Sequence, residues 1–166
     1  SYNNPHRHYV DFELSASTLG KDRVQFQLPA WRPGRYELAD FAQNIQKWGA
    51  FDENNKPLPF KKITKDLWEV ETKGSKKIVV VYNFYANKLD AGSCYLDEHQ
   101  LYLNPVHCMF YIVDRRKEEY KIELDIPENY EIASSMKQEG NVIIVKGYDL
   151  LTESPIICSE TLQHDT

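Results

Sequence analysis

The sequence predicts an all-β fold: an antiparallel β-sandwich or saddle-like sheets with little helix. Three observations predict it. Apolar and polar residues alternate with period two in several runs, turn-forming residues punctuate those runs at short spacing, and helical periodicity is confined to one short segment. Period two puts one face of a strand in a core and the other in water. Many short strands with frequent turns are the pattern of packed sheets.

The elements follow in chain order. Val10, Phe12 and Leu14 alternate with Asp11, Glu13 and Ser15, and Val24, Phe26 and Leu28 alternate with Arg23, Gln25 and Gln27. Between them Leu19-Gly20-Lys21-Asp22 reads as a turn. Residues 67–71 read as a strand, and Lys73-Gly74-Ser75 as the turn after it. Ile78 to Tyr85 is apolar on both faces, which predicts a central strand covered on both sides. Residues 94–103, 106–113 and 141–146 also read as strands. Tyr120, Ile122, Leu124 and Ile126 against Glu119, Lys121, Glu123 and Asp125 give the cleanest alternation. Asp52 to Asn55, Asn104-Pro105, Pro127-Glu128-Asn129 and Glu139-Gly140-Asn141 supply further turns. Only Glu37 to Lys47 has helical spacing, through Leu38, Phe41, Ala42 and Ile45, and the same letters suit an irregular crossover.

One domain is the natural reading of 166 residues. It spans 1–158, and the polar, aperiodic stretch 159–166 reads as the start of a linker. The net charge of −5 and the scattered basic residues argue against a nucleic-acid partner. No stretch approaches the roughly 18 apolar residues of a membrane span. The chain begins at Ser1 rather than Met, which is compatible with an exported parent, although localisation itself is not legible. Cys94, Cys108 and Cys158 are too few and too widely spaced for a disulfide framework or a C-x-x-C zinc site. They are expected to be reduced or to form at most one bridge.

The most specific stretch is the bend from Leu28 to Ile45. Pro29, Pro33 and Gly34 fix the backbone, while Trp31, Tyr36 and Phe41 supply aromatic anchors among the charges of Arg32, Arg35 and Asp40. The residues suit two roles. They could seal a corner of the core, or they could dock a second domain, because aromatic and arginine anchors dominate interfaces.

Catalytic patterns are absent. His6-x-His8 is the tightest histidine pair and would share a strand face, but two ligands are too few for a metal site. Ser154 and Ser134-Ser135 lack a nucleophile elbow. Cys94 has His99 near in sequence, but the neighbouring Asp97 and Glu98 would raise a thiol pKa. No H-E-x-x-H occurs, and the only acid beside a histidine is in Glu98-His99-Gln100.

The bend resembles the N-terminal domain of the glycyl aminopeptidase family, zinc metallopeptidases of the gluzincin type. Other segments resemble that domain in order: Pro5-His6-Arg7-His8-Tyr9-Val10, Lys56-Pro57-Leu58-Pro59 through Trp68-Glu69-Val70, and Tyr82-Asn83-Phe84-Tyr85-Ala86. Tyr95-Leu96-Asp97 through Leu103-Asn104, and then Tyr148-Asp149-Leu150 through Ser154-Pro155-Ile156, complete it. Family members often carry an arginine shortly before the Tyr-Leu-Asp element, where this chain reads Asp90-Ala91-Gly92-Ser93-Cys94. Any role of that arginine does not carry over.

The resemblance implies that catalysis, and its zinc, sit in a following domain absent from this chain. No cofactor and no catalytic residue would then belong to the chain itself. Its partners would be its own catalytic domain and a peptide substrate. The hairpin from Tyr95 to Tyr102 is either a solvated tip or a lip over that domain's cleft. As a lip, Asp97 or Glu98 would hold a peptide's free amino terminus, with Tyr95 and Tyr102 as walls. A stand-alone β-sandwich module binding carbohydrate or protein is the competing function.

Overall fold

The computed structural model describes residues 5–29, 41–87 and 94–160. Strands dominate the described residues, antiparallel pairing recurs in each of the four sheets, and the described helices are short. The expected all-β class is what the chain adopts. It divides into two compact units, one made of the described residues of Asp11–Phe84 and Met109–Arg115, the other of those of Ser1–Val10, Tyr85–Cys108 and Arg116–Thr166.

The first unit is built on two sheets. One has β6 (Lys77–Tyr85) between β1 (Tyr9–Ser17) and β3 (Ile45–Phe51). The other has the order β4 (Phe60–Thr64), β5 (Leu67–Glu71), β2 (Arg23–Gln27) and β9 (Tyr111–Ile112). Both sheets turn side chains into one core: Ala50, Ile78, Val80 and Tyr82 from the first, Val24, Phe26, Trp68 and Val70 from the second, closed by Phe110. The alternation in β2 works as read, with Val24 and Phe26 inside and Arg23 exposed. β6 is central, with Ile78, Val80, Tyr82 and Phe84 buried and the intervening residues half-buried. Aromatic rings knit the layers. Trp48 stacks on Trp68 with centroids 5.7 Å apart, and Phe110 meets Trp68 and Tyr82 edge-on at 5.2 and 5.0 Å.

The second unit holds a three-stranded sheet of order β10 (Glu119–Glu123), β13 (Val142–Lys146) and β12 (Lys137–Glu139). It also holds a four-stranded sheet of order β11 (Glu131–Ala133), β14 (Ile156–Ser159), β8 (Gln100–Leu103) and β7 (Tyr95–Leu96). Two short helices, α1 (Pro105–Cys108) and α2 (Tyr148–Thr152), complete it. Gly147, with φ +95°, precedes α2, and a Cβ there would meet the Arg116 carbonyl at 3.3 Å. Only glycine suits such a position. β14 runs through Ser159, which pairs with Glu131 and Gln100.

Three local readings change. Residues 94–103 are not one strand but the hairpin of β7 and β8, broken by the turn at 97–99. Residues 106–113 are not one strand, because α1 occupies their start and β9 their end. Pro105 explains it: at the first helical position its fixed φ suits a helix and its missing N–H costs nothing. All four residues of α1 are buried, so no amphipathic rhythm betrays the helix. In the segment 37–47, residues 41–44 form a 3-10 turn and β3 begins at Ile45, while 37–40 lie outside the described residues.

Candidate functional site

Cross-strand pairing sets the geometry of the 95–102 hairpin. Tyr95 lies opposite Tyr102 and Leu96 opposite Leu101. Leu96 and Leu101 are buried, and the two tyrosines are half-buried on the other face. Strict alternation would put Tyr95 with Asp97 and His99, and Tyr102 with Glu98. The turn at 97–99 resets that parity and brings the tyrosines side by side.

Asp97 makes the turn. Its Oδ1 accepts the backbone N–H of His99 at 2.8 Å and of Gln100 at 2.9 Å, and its own N–H donates to the Gln100 carbonyl at 3.0 Å. This is an Asx turn, the local role to which a short carboxylate is suited. Burial alone would raise the Asp97 pKa, but those N–H groups, the Tyr95 hydroxyl and His99 outweigh it and hold it below the usual carboxylate value. The same Tyr95–Asp97 hydrogen bond, with burial, raises the Tyr95 hydroxyl pKa. A carboxylate with a lowered folded-state pKa stabilises the fold above the unfolded value and loses that contribution as pH falls through the folded one. The melting temperature of the native chain should therefore drop more steeply below about pH 4 than that of Asp97→Asn, which keeps the acceptor oxygen without the titration. Parallel acid limbs in a thermal melt series would show that Asp97 contributes nothing by its charge.

The rest of the turn is tied down from behind. The Tyr130 hydroxyl donates to the Glu98 carbonyl at 2.7 Å, and the Ser159 hydroxyl to the His99 carbonyl at 3.3 Å. His99 Nδ1 lies 3.1 Å from Glu160 Oε1, whose other oxygen accepts from Asn129 at 3.1 Å. The Glu98 side chain is exposed at the tip.

His8 braces the hairpin from the other side. Its Nδ1–H donates to the Leu96 carbonyl, and Leu96 N–H donates to Ala86 O at 3.0 Å. Its ring meets Tyr95 and Tyr85 at 5.9 and 6.4 Å, and Tyr9 packs on Tyr85 at 5.2 Å. His8 has φ 60°, a conformation non-glycine residues rarely adopt, and its hydrogen bond and ring contacts hold it there. His8, Tyr9, Tyr85 and Tyr130 thus join the hairpin as part of the candidate site, although the sequence does not point to them. The histidine next to the proline-led first segment was the one available signal, and sequence spacing cannot reveal its contact 88 residues away.

The other candidates fall elsewhere. Trp31, Arg32, Arg35, Tyr36 and Asp40 lie outside the described residues, as does the Phe41 side chain, although residue 41 opens the 3-10 turn. Cys94 and His99 are not brought together: the Cys94 thiol is buried against Asn104, whereas His99 is exposed beside Glu160. Ser135 and Ser154 hydrogen-bond to each other through their hydroxyls. Among the described residues no group of three or more histidines, cysteines and carboxylates is placed to hold a metal, so these residues do not fit a zinc ion. Among them, too, no helix is long and apolar enough to cross a membrane.

The profile of the Peptidase M61 N-terminal domain matches residues 1–160. The chain belongs to this family. The family agrees with the resemblance carried by the bend and the segments that follow it. A solved structure of an aminopeptidase N family protein from Idiomarina loihiensis has the same fold, with a TM-score of 0.86 and 24% identity over 95% of this chain. That alignment takes up 28% of the neighbour, so this M61 N-terminal domain spans under a third of that protein's length. No functionally curated protein matches the sequence.

Proposed function

We propose that this domain is the non-catalytic part of a glycyl-aminopeptidase-like zinc metallopeptidase. It packs on a catalytic domain and walls one side of the peptide cleft with its β7–β8 hairpin. The family match over 1–160 carries the reading. The hairpin supports it, because a rigid turn with paired tyrosines and an exposed carboxylate suits the recognition of a peptide's α-ammonium. Asp97 Oδ1 is engaged by the turn, so Asp97 positions the tip and Glu98 receives the ammonium. Zinc and the water-activating glutamate belong to the catalytic domain, where H-E-x-x-H would supply them. The substrate is an oligopeptide with a free amino terminus.

The test compares this chain with the longer protein that carries it. The chain alone is expected to hold no stoichiometric zinc after dialysis and to leave glycyl peptides intact, while the longer protein binds zinc and releases the amino-terminal residue. One zinc per 166-residue chain, or hydrolysis by it alone, would contradict the proposal.

A further inference from the structure

All three cysteines are buried free thiols, but they are not equivalent. Cys158 lies in β14, opposite Ile132 and Leu101, and burial alone pushes its pKa up to about 12. Cys94 and Cys108 converge on one backbone group. The Asn104 N–H donates to Cys94 Sγ at 3.3 Å, and the Asn104 carbonyl oxygen lies 3.6 Å from Cys94 Sγ and 3.5 Å from Cys108 Sγ. Two thiols sharing one carbonyl are neighbours, and the pair hydrogen-bonds to each other as well. Cys94 immediately precedes β7, and Cys108 closes α1.

We propose that Cys94 and Cys108 are the site of a single disulfide, formed when the chain folds in an oxidising environment, which closes the β7–β8 hairpin into a covalent loop. The bond removes one hydrogen from each thiol, and the two neighbouring sulfurs must reach bonding distance with a Cβ–S–S–Cβ dihedral of about ±90°. The oxidant is a second disulfide, either a small molecule or a disulfide oxidoreductase. The thiolate of one cysteine attacks it, giving a mixed disulfide and releasing one oxidant thiolate. The thiolate of the other cysteine then attacks the protein sulfur of that mixed disulfide. Cys94–Cys108 forms and the second oxidant thiolate leaves. The pair gives up two electrons and two protons, and the oxidant becomes two thiols.

Burial decides when this happens. Desolvation, with the neighbouring Cys94 thiol, pushes the Cys108 thiol well above its ordinary pKa, so the closed core holds protonated, unreactive thiols. Exchange therefore belongs to the folding chain, before the hairpin seats. The same core afterwards shields the bond from reductants. In a reducing compartment the pair stays as two hydrogen-bonded thiols without loss of fold. The proposal is independent of the peptidase reading, since it concerns only the covalent state of this unit.

The test is refolding of the chain from denaturant in mixed reduced and oxidised glutathione, followed by alkylation and peptide mapping without reductant. The expected map joins the peptide of Cys94 to that of Cys108 and leaves Cys158 as a free thiol. The bridged chain should melt higher than the reduced one by roughly 6–12 °C, as a loop of this size implies. Cys158→Ser should keep both results, and Cys94→Ser or Cys108→Ser should lose both. Because the native chain supplies the map, a serine variant that fails to fold does not weaken the test. A bridge to Cys158, a glutathione adduct in place of the bridge, a folded chain with three free thiols, or a bridge that leaves the melting temperature unchanged overturns the proposal.

Discussion

Trp68→Ala is expected to cost the domain about 3–5 kcal/mol, the range for truncating a buried aromatic. The ring is 4% exposed in β5 and is touched from three sides. Trp48 stacks on it at 5.7 Å, Phe110 meets it edge-on at 5.2 Å, and Lys62 Nζ sits 4.7 Å over its face. Removing it opens a cavity between the two sheets of the first unit, where β-strands leave little freedom to collapse. A domain stable by about 5–15 kcal/mol would lose about a fifth of that margin or more. Urea denaturation of the variant should show a much lower midpoint with an unchanged slope. As a control, Leu150→Ala, at a side chain 51% exposed, should move stability by no more than about 0.5 kcal/mol. If Trp68→Ala and Leu150→Ala unfold alike, the core is not where the aromatic cluster places it.

Glu98→Gln in the longer enzyme is expected to lower kcat/KM on free-amino peptides by roughly 10- to 150-fold, from the loss of one charge-assisted hydrogen bond worth about 1.5–3 kcal/mol. The substitution keeps size and shape and removes only the charge. Because an N-acetylated peptide offers no ammonium, its much lower rate should not change, so the preference for a free amino group shrinks by the same factor. Asp97→Asn should cost far less, since an amide oxygen still accepts from His99 and Gln100 and the turn persists. If Glu98→Gln and Asp97→Asn both leave the rates on both peptides unchanged, the hairpin is a solvated tip, and the ammonium is read by the catalytic domain.

Much of the fold was legible because strand periodicity is a strong signal where one face is buried. β1, β2, β6, β10 and β13 fall where alternation or an apolar run put them. β3 was missed for a physical reason: Lys47 has φ 52° and the register shifts between Gln46 and Gly49, which breaks the period of two. α1 was misread because a fully buried short helix and a buried strand look alike. At the hairpin, strict alternation would put Tyr95 and Tyr102 on opposite faces, whereas they pair, because a turn changes parity and sequence alone does not show how many residues it takes. His8 beside Tyr95, and Cys94 beside Cys108, are long-range juxtapositions that only the folded chain reveals. The most distinctive sequence, the bend around Trp31, identified the family and lies outside the described residues.

The reading frame downstream of Thr166 tests the central claim most directly. It is expected to continue into a domain carrying H-E-x-x-H on a helix, with a further glutamate downstream as the third zinc ligand. A stop codon at that point, or a following domain without a three-ligand zinc motif, would contradict it and leave a stand-alone β-rich binding module in its place.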